Sequence, residues 1–250
     1  MCCFSGPIER VADTNIFARS VDNGRQLLVY AMTIATRNDV AMILPLPVPP
    51  NPPEDAVRFI DLKGYPEFFQ DMKLGFPDPK PRSLAITGAK SAAAPDKAEP
   101  LAVVQVGSFE ASFVPAVKDF GRLDPRFRLP DKTWESLPAY KDYGFAVFKL
   151  KKEASTVHPM AFEFPRKDPA KIFFPTVHIH DGQVHENAAF DHALYCQKRE
   201  GDRTSLPDWR ESAVPAGRFM KLDKTQGIVV EGHCYLKRIR GEQKNQDTLA

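Results

Sequence analysis

Apolar residues along this chain fall mostly into short β-branched and aromatic runs, each closed by Pro, Gly, Asn or Asp. "NIFARSVDNGRQLLVYAMTIAT" places two such runs around Asp22-Asn23-Gly24, residues that tolerate positive φ, and so predicts a β-hairpin. Val40 to Pro49 is a third extended run. Its prolines at 45, 47 and 49 cannot donate ladder hydrogen bonds, so this strand is expected at a sheet edge or leaving the sheet. Ala56 to Leu62 reads as a further short strand. In "YPEFFQDMKLGF" the residues Phe68, Phe69 and Met72 share one helical face, and Gly75 is placed to end the helix.

Pro77 to Pro100 breaks the pattern. It is rich in Pro, Ala, Lys and Ser and has little to bury after "SLAIT", so residues 88–100 read as a mobile loop or linker. The chain is taken as a single domain, 1–250, made of two β-rich halves, 1–87 and 101–250, joined by that loop, with two separate domains an equal alternative to one shared sheet system. Beyond it, Leu101 to Pro115 is β-rich with a kink or turn at Gly107. "DKTWESLPAYKDYG" has helix-like spacing interrupted by Pro138. "FAVFKLKK", "HPMAFEFP" and "KIFFPTVHIH" read as strands. "AAFDHALYCQK" fits strand or helix, "GIVVEGHCYLKRIR" is the last strand, and "GEQKNQDTLA" a polar tail. No internal repeat or heptad is present. Strands and helices do not alternate as in a doubly wound sheet, so the expected class is α+β: a mostly antiparallel β-sheet with a few short helices and Pro-rich loops.

Composition narrows the picture a little. The 250 residues are 43% hydrophobic and 26% charged, with a formal charge of +2. That is ordinary globular composition, and no basic excess argues for nucleic acid or an anionic membrane. No apolar window reaches the ~18 to 20 residues of a membrane span. "MCCFSGPIERVADTN" lacks the basic start and apolar core of a secretory signal, so a cytoplasmic location is expected. The 23 prolines imply many loops and few long helices. Four cysteines without a C-x-x-C pair do not make a disulfide scaffold.

Chemistry is concentrated in one place. Four of the six histidines lie between Phe173 and His192. Asp181-Gly182 is a two-residue hairpin turn, and a hairpin there would oppose His178 to His185, Ile179 to Val184 and His180 to Gln183. Side-chain alternation then puts Thr176, His178, His180, Gln183, His185 and Asn187 on one face. Three imidazoles at such spacing match a catalytic-zinc arrangement with an open position, so zinc or another divalent transition metal would suit His178, His180 and His185. The same face also reads as the solvated side of an antiparallel hairpin, or as metal-free acid–base machinery. His192 lies further on; if the strand continues, it joins Leu194 and Cys196 on the apolar face as a core histidine.

Cys2 becomes N-terminal if Met1 is removed. Its own α-amine then serves as a base for the thiol, the arrangement of enzymes with an N-terminal nucleophile. The alternative is a small buried apolar residue. Cys196 and Cys234 sit in strand-like runs and are expected in the core. Phosphate loops, G-x-G-x-x-G, G-x-S-x-G and H-E-x-x-H are all missing from the sequence.

The Cys-Cys-Phe start, "NIFARSVDNGRQLLVYAMTI", "VAMILPLPVP", "VGSFEASFVPA", "WESLPAYKDYGFAVFKLK" and "HPMAFEFP" occur in that order between Cys2 and Pro175. In this the chain resembles an uncharacterised bacterial domain-of-unknown-function family, often seen with secretion signals. It departs from that family in having no signal sequence and in carrying the histidine hairpin. The resemblance bears on fold and carries over no activity. Three functions follow from the sequence: a β-rich binding or interaction module, a metal-binding protein or metal-dependent enzyme using the histidines, and a hydrolase with Cys2 as nucleophile. The first is preferred, with a protein partner docking on an edge strand or on the Pro-rich run 44–53.

Overall fold

A computed structural model describes residues 3–77, 104–106, 109–129, 131–150, 155–156, 158–179, 184–199, 201 and 205–250. In chain order the first part forms β1 (Cys3–Phe4), β2 (Arg10–Ser20), β3 (Arg25–Ala35), β4 (Val40–Leu46), β5 (Arg58–Ile60) and α1 (Phe68–Leu74). There follow β6 (Val104–Val106), β7 (Phe109–Val114), α2 (Asp131–Glu135), β8 (Gly144–Leu150), β9 (Ser155–Thr156) and β10 (Met160–Pro165). The last are β11 (Phe173–Phe174), β12 (Asn187–Gln197), β13 (Arg210–Glu211), β14 (Tyr235–Lys244) and β15 (Thr248–Leu249).

These strands build two large sheets. One runs β13-β14-β12-β2-β3-β10-β5, with β9 also on β3; the other runs β1-β4-β8-β7-β6. Both take strands from either side of residues 88–100, which themselves lie outside the described residues. All ladders in the two sheets are antiparallel except β12 on β2, which is parallel from His192 opposite Thr14 to Gln197 opposite Arg19. The architecture is sheet-dominated with a few short helices, as the strand-heavy pattern predicted.

Packing explains why the strands read as unbroken apolar runs. In β3, Leu28, Tyr30, Met32 and Ile34 face the space between the sheets, while Leu27, Val29 and Ala31 face outward. Outward is still inside the protein. Phe68, Phe69 and Met72 of α1 cover that face together with Met220, Ile228 and Val229. The second sheet does the same: Ala146, Phe148 and Leu150 point between the sheets, Phe145 and Val147 away from them. A layer of 3-10 turns and α2, residues 117–140, covers the second set with Phe120, Leu123, Phe127, Trp134 and Leu137. With both faces of β3 and β8 buried, strict polar–apolar alternation has no reason to appear in these strands.

Local chemistry sets the corners. The β2–β3 hairpin pairs Ser20 with Gln26, and Asn23 and Gly24 hold φ of 56° and 69°, the left-handed region that a tight turn needs. In α1 the expected three residues are buried, and Gly75 ends the helix with φ −67°. Glycine is required there for space, since a Cβ would lie 2.5 Å from Cζ of Phe219. β1 covers only Met42 and Ile43 of β4, so Leu44 to Leu46 form a sheet edge among the described residues, as the prolines predicted.

Two expectations are corrected. Among its described residues "KIFFPTVHIH" is a strand only at Phe173–Phe174, paired with β15, plus a single bridge from Ile179 to Cys3. "GEQKNQDTLA" is no loose tail: it extends β14 to Lys244 and supplies β15. Among the described residues no helix is long and apolar enough to cross a membrane.

Candidate functional site

The C-terminal stretch decides what becomes of the histidines. Thr176 and Val177 donate their backbone N–H groups to Asp247 Oδ1, at 2.8 and 3.2 Å. His178 N–H donates to Asn245 Oδ1 at 2.7 Å, and Asn245 Nδ2 donates to the carbonyls of both His178 and His185, at 2.9 and 3.0 Å. An asparagine side chain thus lies between residues 178 and 185, where direct strand pairing was expected. The predicted face is not a single wet surface either. Thr176 is fully buried, its hydroxyl donating to the Gln246 carbonyl at 2.8 Å, while His185 is exposed.

The imidazole that His178 meets is His192. Their ring centres are 5.0 Å apart, and both pack on Phe190, at 4.3 and 5.2 Å. β12 does continue through this region, so His192 joins Leu194 and Cys196 on the buried face and is only 3% exposed. His180 and the Asp181–Gly182 turn lie outside the described residues. Among those described, no three His, Cys, Asp or Glu side chains are grouped to share a cation.

Asp247 is the centre of this clasp. Its Oδ2 accepts from the Tyr140 hydroxyl at 2.7 Å while Oδ1 takes the two backbone donors. Desolvation of the enclosed carboxylate pushes its pKa up, and the Tyr140 and backbone hydrogen bonds offset this only in part. Burial and the facing carboxylate together hold the Tyr140 phenol protonated, so it remains the donor.

The cysteines divide. Cys2 lies outside the described residues. Cys3 is buried in β1 opposite Ile43. Cys196 and Cys234 are core residues, as expected, and burial raises both thiols, Cys234 to about 12. Neither is suited to act as a thiolate. The fold also assembles Glu211, Ser212 and His233, a set invisible in the sequence. Here Ser212 Oγ (3.4 Å) and Glu211 Oε1 (3.5 Å) both face the same ring nitrogen, Nδ1. A relay needs the two nitrogens of the ring on opposite partners. Ser212 Oγ instead donates to Val214 O and accepts from Cys234 N–H, fastening a turn.

The remaining candidates are surfaces. The Pro-rich run is corrected in extent: Leu44, Leu46 and Val48 are buried between the layers, and the exposed part is centred on Pro50 to Pro53. That part turns through Asn51 (φ 52°) and borders a cavity of about 450 Å³ with Lys118, Asp119 and Arg122, which is tied to Glu54 by a 2.6 Å ion pair. β14 is a second surface. β13 covers only Tyr235 and Leu236, so the edge from Lys237 to Lys244 has no strand beside it among the described residues. A third feature is the anchoring of Gly75 and Phe76, at the end of α1. Arg210 donates to the Phe76 carbonyl at 2.7 Å and stacks over the Phe76 ring, and Ala213 N–H donates to Gly75 O.

Comparison with known proteins places this arrangement. No protein-family profile and no curated protein matches the chain. Among solved structures it is similar to baculovirus P35, with 15% identity and a TM-score of 0.52, covering 99% of this chain and 98% of that one. P35 is matched again in its complex with caspase-8 (13% identity, TM-score 0.47, 95% of both chains). A mutated P35 after caspase cleavage also matches (13% identity, TM-score 0.48, 96% and 97%). At this identity the likeness to P35 is one of fold, and it spans nearly the whole of both chains.

Proposed function

We propose that this chain is a protein-binding module whose partner is a peptidase of the caspase class. The observation that carries this reading is the P35 fold, end to end, in a chain of matching extent. P35 is seen in complex with caspase-8, and a mutated P35 is seen after caspase cleavage. Two features of this chain support the reading. A peptidase cleft needs an extended segment outside the hydrogen-bonded ladders. By sequence pattern the longest such stretch here is Pro77 to Pro100, and the residues just before it, Gly75 and Phe76, are held by Ala213 and Arg210. The exposed Pro50–Pro53 turn and its charged cavity offer a second, rigid contact surface.

The test is an activity titration. The purified chain is added in increasing amounts to caspase-8 hydrolysing a peptide substrate. The expected result is loss of activity at near-stoichiometric addition, abolished when residues 88–100 are replaced by a Gly-Ser linker of equal length. Full activity at a large excess of the unaltered chain overturns the proposal.

A further inference from the structure

A cavity of about 340 Å³ opens beside Pro47, where β11 and β15 meet. Its walls are apolar: Pro47, Tyr143, Phe173 and Leu249, with the Tyr143 and Phe173 rings edge to face at 6.2 Å. Its rim is cationic, carrying Arg166, Lys167 and Lys171 against one acid, Asp168. Asp168 is already engaged, with Lys171 Nζ at 3.2 Å and the Ala170 N–H at 3.0 Å.

Arg166 is the unusual member. It is only 6% exposed, yet its hydrogen bonds go to two neutral carbonyls: Nη1 to Lys171 O at 2.7 Å and Nε to Gly24 O at 3.4 Å. Neither partner carries charge, and no carboxylate forms an ion pair with this guanidinium among the described residues. A buried cation without a counter-ion is costly, and a guanidinium stays protonated in such a place. Burial and the neighbouring Arg199 lower its pKa from the usual arginine value, and they outweigh the opposing Asp168. The surroundings therefore favour an added negative charge at this point.

We propose that this cavity binds a small organic carboxylate with an aromatic or aliphatic body. The body lies against Tyr143, Phe173 and Leu249, and the carboxylate accepts from Arg166 Nη2 and the Lys167 ammonium. The volume sits at the lower end of small-molecule sites, which run from about 300 Å³ upward, so a ligand of one ring and a short acid arm fits better than a nucleotide or a folded partner. This cavity adjoins the Pro50–Pro53 surface, with Tyr143 lining both, and it is distinguished by its cationic group Arg166, Lys167 and Lys171.

The probe is 3-phenylpropanoate, titrated into the full chain at low ionic strength and followed by calorimetry and ligand-observed NMR. Its neutral amide and acetate serve as controls for the two halves of the ligand. Two variants leave the packed core alone: Lys167→Gln removes one cation, and Ala139→Trp, at an exposed residue of the cavity lining, fills the space. Saturable binding is expected, weakened about tenfold by Lys167→Gln, the size of one charge-assisted contact. Ala139→Trp is expected to abolish it, and each control to bind at least tenfold more weakly. No saturable binding overturns the proposal. So does equal affinity for the amide, or binding unchanged in both variants.

Discussion

Replacing Asp247 tests the C-terminal clasp most sharply. Asp247→Ala leaves three donors without their acceptor: the buried N–H groups of Thr176 and Val177 and the Tyr140 hydroxyl. Each unmet buried donor costs about 1–3 kcal/mol, and removal of a desolvated carboxylate returns part of that. The expected net loss is about 2–4 kcal/mol, or roughly 5–15 °C in Tm for a chain of this size. Asp247→Asn retains an oxygen for the two backbone donors and disturbs only Tyr140, so it should lose about 1 kcal/mol. Trp134 packs in the same cluster as Tyr140, so its fluorescence in a urea titration reports on this region. The pH dependence has a defined sign. Asp247 has its folded pKa raised, so its contribution to stability is greatest in acid. That contribution declines as pH rises from about 3.9, the ordinary carboxylate value, to the folded pKa. Asparagine does not titrate, so its deficit relative to the parent is largest near pH 4 and shrinks toward neutrality. An alanine variant within about 0.5 kcal/mol of the parent refutes the clasp, and an asparagine deficit that grows with pH refutes the raised pKa.

Other outcomes follow from the same packing. Gly75→Ala forces a methyl group against the Phe219 ring and should cost about 1–3 kcal/mol, falling below about 1 kcal/mol in a Phe219→Leu background; a double-mutant cycle in urea measures this. Glu163 accepts from Arg25 and from Arg58. Burial raises its pKa, but those hydrogen bonds outweigh burial and hold it below the usual value. Glu163→Gln should therefore lose about 1–2 kcal/mol at pH 7, a difference that disappears as pH falls through the folded pKa. Cys3, Cys196 and Cys234 are buried, so native protein at pH 8 should leave all three unalkylated by iodoacetamide, with labelling appearing only on unfolding; mass spectrometry of peptides reads this directly.

How much of this was legible in the sequence depends on the range of the interaction. The β2–β3 hairpin was, because Asp22-Asn23-Gly24 dictates the turn and the apolar runs flank it. The buried face of α1 and the inward placement of His192 were as well, since each follows from periodicity within one element. The histidine pairing was not. Asn245 and Asp247 reach residues 176–178 from about 70 positions away, and two polar residues in a polar stretch give no local hint of their partners. The burial of Leu44, Leu46 and Val48 depends on the facing sheet, whose Leu28, Tyr30 and Phe162 come from distant parts of the chain. The parallel join of β12 to β2 and the isolated charge of Arg166 likewise arise only when distant segments meet.

The claim that this chain is a module for a caspase-class partner meets its most direct test in one mixture. The chain and caspase-8 are combined at equal concentration, separated by size exclusion, and each peak is weighed by intact mass. A single co-eluting peak, with any cut in the chain falling between Pro77 and Pro100, is the predicted result. Two separate peaks with the chain intact would contradict it.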